Sequence, residues 1–158
     1  KNLKKIIDKY TMSTVCMFKI TNDEEINIKC SRELGNKVIT EVSNYFKQNL
    51  TSEYILVRYM GPKFAIVFSG VELNGVVEFL NDNKEEIEKL QISLEKIQEI
   101  PEEKTAKKGR KKKQVIVSPR LNFAVSTYYK GTGLEEVLKK LENYLDSAPA
   151  GENDINNI

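Results

Sequence analysis

The sequence predicts a single α/β domain of the α+β kind, with a central, mostly antiparallel sheet flanked by helices. Three observations lead there. Residues 54–59 and 63–68 are β-rich runs that close on Met60, Gly61 and Pro62. They read as a hairpin, because Gly tolerates a tight turn, Pro fixes φ, and Ile55, Val57, Ile66 and Val67 are strand formers. Residues 14–20 are apolar on both faces, as a central strand between two layers must be. Over 36–50, Val38, Ile39, Val42, Tyr45, Phe46 and Leu50 fall on one helical face behind Asn36, a suitable N-cap.

The remaining elements follow in chain order. Leu3, Ile6, Ile7 and Tyr10 stand at helical spacing opposite Lys4, Lys5 and Lys9. This lead-in helix over 1–12 either lies on its own domain or ends a coiled coil arriving from upstream. Between the first strand and Asn36, Ile26, Ile28 and Cys30 alternate with Asn27 and Lys29, the pattern of a short inserted strand. Beyond the hairpin, Leu73, Val76, Val77, Leu80, Ile87 and Leu90 mark a second long helix, bent near Asn81-Asp82-Asn83. Residues 92–94 and 114–117 pair as a hairpin with 101–113 as a projecting basic loop, or else Ile97 and Ile100 continue a helix to Pro101. Leu121, Phe123 and Val125 alternate in a late strand over 120–128. Thr132-x-x-Glu135 is a capping box opening a last helix with Leu134, Val137, Leu138, Leu141 and Leu145 on one face. The expected organisation is a lead-in helix 1–12, a domain 13–148 and a flexible tail 149–158.

Composition narrows the chemistry. At 158 residues, 40% hydrophobic, the chain is long enough for one real core. No apolar run reaches the roughly 18–20 residues of a membrane helix, and a cytoplasmic setting is expected. The chain opens at Lys1 without Met, as a piece of a longer protein would. With no histidine and only Cys16 and Cys30, a zinc site, histidine acid–base chemistry and a Ser-His-Asp nucleophile are all unexpected. The two cysteines either pair or stay buried as thiols. The net charge of +2 hides a segment, Lys104 to Lys113, with seven cations and no acid, so the rest of the chain is net acidic.

Arg58-Tyr59-Met60-Gly61-Pro62-Lys63-Phe64 resembles the signature hairpin of the GGDEF (diguanylate cyclase) family, Arg-Tyr-Gly-Gly-Asp/Glu-Glu-Phe. The signature positions Met60, Gly61, Pro62, Lys63 and Phe64 keep the frame and replace the acids. Phe18-Lys19-Ile20-Thr21-Asn22-Asp23 is similar to the family's Phe-Lys-x-Ile-Asn-Asp, which aligns its preceding Asp-x-Asp with Thr14 and Cys16. The late strand looks like the family's Thr-x-Ser-x-Gly-Val-Ala. The resemblance implies the palm-like GGDEF fold.

It also implies a chemistry. Joining two GTP molecules needs a divalent metal held by carboxylates, and Thr14 and Lys63 stand at the aligned ligand positions. An ammonium repels magnesium, so the expectation is no catalytic residue, no metal, no cofactor and no enzyme. Asn22 aligns with the residue that contacts guanine, Asn36 replaces a base-contacting Asp, and Lys63 suits a phosphate; as plain structure, Asn22 is a turn residue and Asn36 a cap. The family separates its Asn from a Gly-Asp pair by about nine residues, whereas Gly35-Asn36 lies fourteen beyond Asn22. The family's inhibitory Arg-x-x-Asp falls on Thr51-Ser52-Glu53-Tyr54, so product inhibition of that kind is not expected. The phosphate-holding Lys and Gly-Arg-Asn fall at Ser147 and Gly151-Glu152-Asn153.

The function expected is a catalytically inactive GGDEF-like regulatory or interaction domain of a larger signalling protein, whose partner is another domain or protein of its pathway. A guanine-nucleotide sensor for GTP or cyclic di-GMP, through Asn22, Asn36 and Lys63, stays open as an alternative. So does binding of nucleic acid or an anionic membrane through Lys107, Lys108, Arg110, Lys111, Lys112 and Lys113. A homodimer is a further arrangement the sequence allows.

Overall fold

A computed structural model describes residues 2–29, 32–51, 54–99, 110–147 and 155–157. Helix α1 (Asn2–Ile7) leads into strand β1 (Met12–Ile20), followed by α2 (Asp23–Lys29), α3 (Arg32–Asn49), β2 (Ile55–Met60), β3 (Lys63–Phe68) and α4 (Leu73–Glu88). Then come β4 (Ile92–Glu99), β5 (Arg110–Val117), β6 (Leu121–Tyr129), α5 (Leu134–Ser147) and β7 (Ile155–Asn157). The main sheet runs β2-β3-β1-β6-β7, antiparallel except for the last pair, while β4 and β5 form a separate two-stranded ribbon.

Strand pleating sorts the core into two layers. Cys16, Phe18, Ile20, Phe64, Ile66, Phe68, Leu121, Phe123 and Val125 face α3 and α4, whose Val42, Phe46, Val76 and Leu80 cover them. Val15, Met17, Val67, Ala124 and Tyr128 face the other way, onto Ile7 of α1 and Leu134, Val137, Leu141 and Leu145 of α5. Phe18 is at the centre of the first layer, its ring centroid 4.7 Å from Phe46, 5.1 Å from Phe64 and 5.6 Å from Phe123.

The structure departs from the sequence expectations in several places. The inserted segment after Asn22 is helical: α2 has acids in its first turn, Asp23, Glu24 and Glu25, and buries Ile26 against Val38 and Ile92. A seven-residue helix burying one residue leaves a pattern that strict alternation mimics. Helix α3 starts at Arg32, so Asn36 is inside it and not its cap. Helix α4 is continuous through Asn81-Asp82-Asn83; Asn83 Nδ2 donates to the Phe79 carbonyl while its Oδ1 accepts from Tyr45 Oη at 2.8 Å. The capping box does not form, because Thr132 Oγ1 donates back to the Tyr129 carbonyl and Val137 N bonds Gly133 O.

Two further boundaries move. Residues 92–99 are strand, not helix, and the basic segment becomes strand from Arg110, paired with Glu99; Arg110, Lys111, Lys112 and Lys113 are therefore in β5 rather than a loop. Lys107 and Lys108 lie outside the described residues, as do Cys30 and Gly151-Glu152-Asn153. Of the expected flexible tail, 155–157 form β7, held parallel to β6 with Ile155 against the core. No helix among the described residues is long and apolar enough to cross a membrane.

The turn after β3 explains two polar residues of β1. Thr14 Oγ1 donates to Val71 O at 2.8 Å, and Gly70 N donates to Ser13 Oγ at 3.0 Å. Gly70 has φ +72°, and a Cβ there would stand 2.7 Å from Cδ1 of Tyr10. Gly70→Ala should therefore cost about 2 kcal/mol, from the left-handed backbone and displacement of the Tyr10 ring, readable as a lower urea midpoint.

Candidate functional site

The signature hairpin turns at Gly61, φ +57°, and Pro62, so that Lys63 opens β3. Across the ladder Lys63 faces Lys19 of β1, while Thr14 faces Phe68 at the far end of the strand. Five residues of extended chain separate those positions, roughly 17 Å. The alignment of Thr14 and Cys16 with residues beside the signature is thus corrected: the β1 positions next to the turn are Lys19, Ile20 and Thr21. Cys16 is wholly buried and its thiol is pushed far up by desolvation, as an inert core group.

The end of β1 is wedged between two segments. Ile20 N bonds Pro62 O at 3.0 Å, and Thr21 N bonds Arg120 O at 2.8 Å. Asn22 joins the same wedge: its Nδ2 donates to Ser118 O at 2.9 Å and its Oδ1 accepts from Arg120 N at 3.0 Å. Both ends of that amide are engaged by backbone, so the geometry gives Asn22 the turn-fastening role.

A cavity of about 440 Å³ opens here, lined by Lys19, Thr21, Asp23, Glu24, Pro62, Lys63 and Asp146. Its centre is an ion-pair cluster. Lys63 Nζ is 2.7 Å from Glu142 Oε2 and 3.1 Å from Asp146 Oδ1, both from the last turns of α5, and Lys19 Nζ stands 3.9 Å from Asp146 Oδ1. The Lys63 side chain is only 11% exposed. Burial alone would lower its pKa, but the hydrogen bonds and charges of Glu142 and Asp146 outweigh it and the net shift is upward. At Asp23, desolvation raises the pKa against the opposing charge of Arg58. Ser147, where the phosphate-holding lysine was sought, donates to Asn143 O within its own helix.

One residue escaped the sequence reading. Asn27, on α2, is nine positions before Asn36, the spacing that Asn22 failed to meet. Its amide oxygen occupies the space a Cβ on Gly35 would fill, so α2 and α3 close together where Gly35 allows it. Asn36 follows on the exposed side of α3. The nine-residue interval was the available signal, and reading 24–30 as an insertion concealed it. The structure thus brings Lys63, Pro62 and the β1 end together with Asp23 and Glu24 of α2, while Asn36, on the exposed side of α3, does not line that cavity. Thr51 and Tyr54 flank residues outside the description, so the inhibitory-motif position is not described.

Among the described residues no group of three or more acidic, Cys or His side chains is arranged to hold a metal ion.

Comparison with known proteins bears on this site. The family model "Diguanylate cyclase, GGDEF domain" matches residues 1–150. No curated protein matches the chain. Among solved structures, the diguanylate cyclase SiaD from Pseudomonas aeruginosa, solved with its activator SiaC, is similar at TM-score 0.77 and 11% identity, over 99% of this chain and 56% of that one. This chain therefore spans little more than half of SiaD's length. The GGDEF domain of DgcB from Caulobacter crescentus, in complex with c-di-GMP, is similar at TM-score 0.72 and 14% identity, over 98% of this chain and 80% of that one. These likenesses show the palm-like fold.

The expectation that the chain is no enzyme is corrected by the family match, which places it in a family of diguanylate cyclase domains. The replaced acids at 62 and 63 describe the site and do not remove the chain from that class. The signature frame on its hairpin, the antiparallel sheet order and a family model spanning most of the sequence make this chain a member of the GGDEF, diguanylate cyclase, family.

Proposed function

We propose that this domain works as a regulatory and interaction module of a larger cytoplasmic signalling protein, with a degenerate signature. The observation that carries the reading is the seat of Lys63, its ammonium between Glu142 and Asp146. A fixed internal cation satisfies these carboxylates, and the turn it anchors presents Tyr59 and Met60, 37% and 67% exposed, as apolar contacts for a partner domain or protein. A second reading, metal-independent sensing of a guanine nucleotide, is favoured by Asn27 standing nine residues before Asn36 across the α2–α3 contact.

Calorimetric titration of the domain with GTP and with cyclic di-GMP, each with and without magnesium, separates these readings. The absence of heat supports the interaction module. Saturable, magnesium-independent binding that Asn27→Ala weakens about tenfold supports the sensor. Binding that requires magnesium contradicts both.

A further inference from the structure

The two-stranded ribbon of β4 and β5 stands outside the main sheet, and its register sorts charges that the sequence runs together. Glu99 pairs with Arg110, Gln98 with Lys111, Ile97 with Lys112 and Lys96 with Lys113. Alternate residues of a strand share a face, so Lys96, Gln98, Lys111 and Lys113 fall together on one face of the ribbon's outer half. Glu99, Arg110 and Lys112 fall on the other, with Glu95. Exposure at the inner end agrees with this division. Ile92, on the lysine face, is buried beside Ile26 and Val38, while Ser93 and Ile116, on the other face, are exposed.

The two faces differ in charge. On one, two acids accompany two cations, and Glu99 stands directly opposite Arg110. On the other, three lysines share a face that carries no acid at any position, and Lys96 stands directly opposite Lys113. Like charges opposite one another on adjacent strands, about 5 Å apart at Cβ, destabilise a ribbon. Lys111 adds a third cation roughly 7 Å along the strand from Lys113. A partner that brings several fixed negative charges to this face relieves the repulsion.

The ribbon's shape and composition select that partner. The apolar residues of the lysine face stand at its inner end, where Ile92 is buried in the domain, so its outer half has no apolar anchor for a lipid surface. Neither β4 nor β5 contains an aromatic residue, which leaves no stacking platform for single-stranded bases. The major groove of B-form DNA admits a two-stranded ribbon, whereas that of A-form RNA is too narrow. We propose that this face of the ribbon binds duplex DNA along its major groove without reading sequence, Lys96, Lys111 and Lys113 each countering a backbone phosphate. The surface is independent of the interaction module proposed above, because no ribbon residue belongs to the signature hairpin or to the Lys63 cluster.

Fluorescence anisotropy of a labelled DNA duplex of about 20 base pairs, titrated with the full chain, tests this. Binding should saturate, and should weaken about fortyfold between about 50 and about 200 mM salt, the dependence expected of three phosphate contacts. An RNA duplex, a DNA single strand and vesicles of phosphatidylcholine with phosphatidylserine should each bind at least about fivefold more weakly. Lys111→Gln/Lys113→Gln should weaken duplex binding about tenfold at the lower salt. Arg110→Gln/Lys112→Gln, which removes the same charge from the other face, should weaken it less than about threefold, and neither variant should lower the unfolding midpoint. Absence of saturable duplex binding by the unmodified chain, binding of any of the other three probes as tight as that of the duplex, or equal losses in the two variants would overturn the proposal.

Discussion

Lys63→Glu should lower the stability of the domain by about 3–5 kcal/mol, because it removes the cation from two carboxylates and adds a third negative charge beside them. Glu142 and Asp146 approach Lys63 Nζ to 2.7 and 3.1 Å, and the lysine side chain is nearly enclosed. Lys63→Met, which removes the charge and keeps most of the volume, should cost less, about 1–3 kcal/mol. Urea unfolding of the three proteins measures both differences. The pH dependence has a definite sign. The folded-state pKa of Lys63 lies above its ordinary 10.5, so the folded protein holds this proton more tightly than the unfolded chain. The stabilisation is therefore complete below the unfolded value and is lost as pH rises through the folded one. The gap between wild type and Lys63→Met should be constant at neutral to mildly alkaline pH and close only at strongly alkaline pH. Closure already at neutral pH would show that the ion pair does not form.

Phe18→Ala should cost about 3–5 kcal/mol, since Phe18 is fully buried and its ring touches three others, from α3, β3 and β6. The effect should reach the signature hairpin, because Phe18 pairs across the ladder with Phe64, the residue after Lys63. Thermal and urea unfolding should show the loss, and hydrogen exchange should quicken along β3 before it does along α5. A cost below about 1 kcal/mol would mean that the site collapses freely around the missing ring.

The sheet was legible because its strands announce themselves locally. Cys16, Met17 and Phe18 are apolar in succession, which only a strand covered on both faces tolerates, and Gly61-Pro62 fixes where the hairpin turns. Helix α2 was not, since Ile26 and Ile28 alternate as strand residues do and only Ile26 is buried, with Ile28 82% exposed. That misreading hid the nine-residue interval between Asn27 and Asn36, and the ladder register sets Lys19 rather than Thr14 across from Lys63. The partners of Lys63 were beyond local reading altogether. Glu142 and Asp146 are 79 and 83 residues away, on a helix whose polar face looks in sequence like any solvated surface. β7 was missed for a related reason, because three residues acquire strand geometry only from the β6 edge that receives them.

In the function proposed above, the Lys63 ammonium takes the place of a metal ion between Glu142 and Asp146. Carbon-13 NMR of the Glu142 and Asp146 carboxylates during a titration with millimolar magnesium tests it most directly. Both signals should stay in place while those of exposed carboxylates drift weakly and without saturation. A saturable shift of Glu142 and Asp146, accompanied by release of the Lys63 ammonium from its partners, would contradict it.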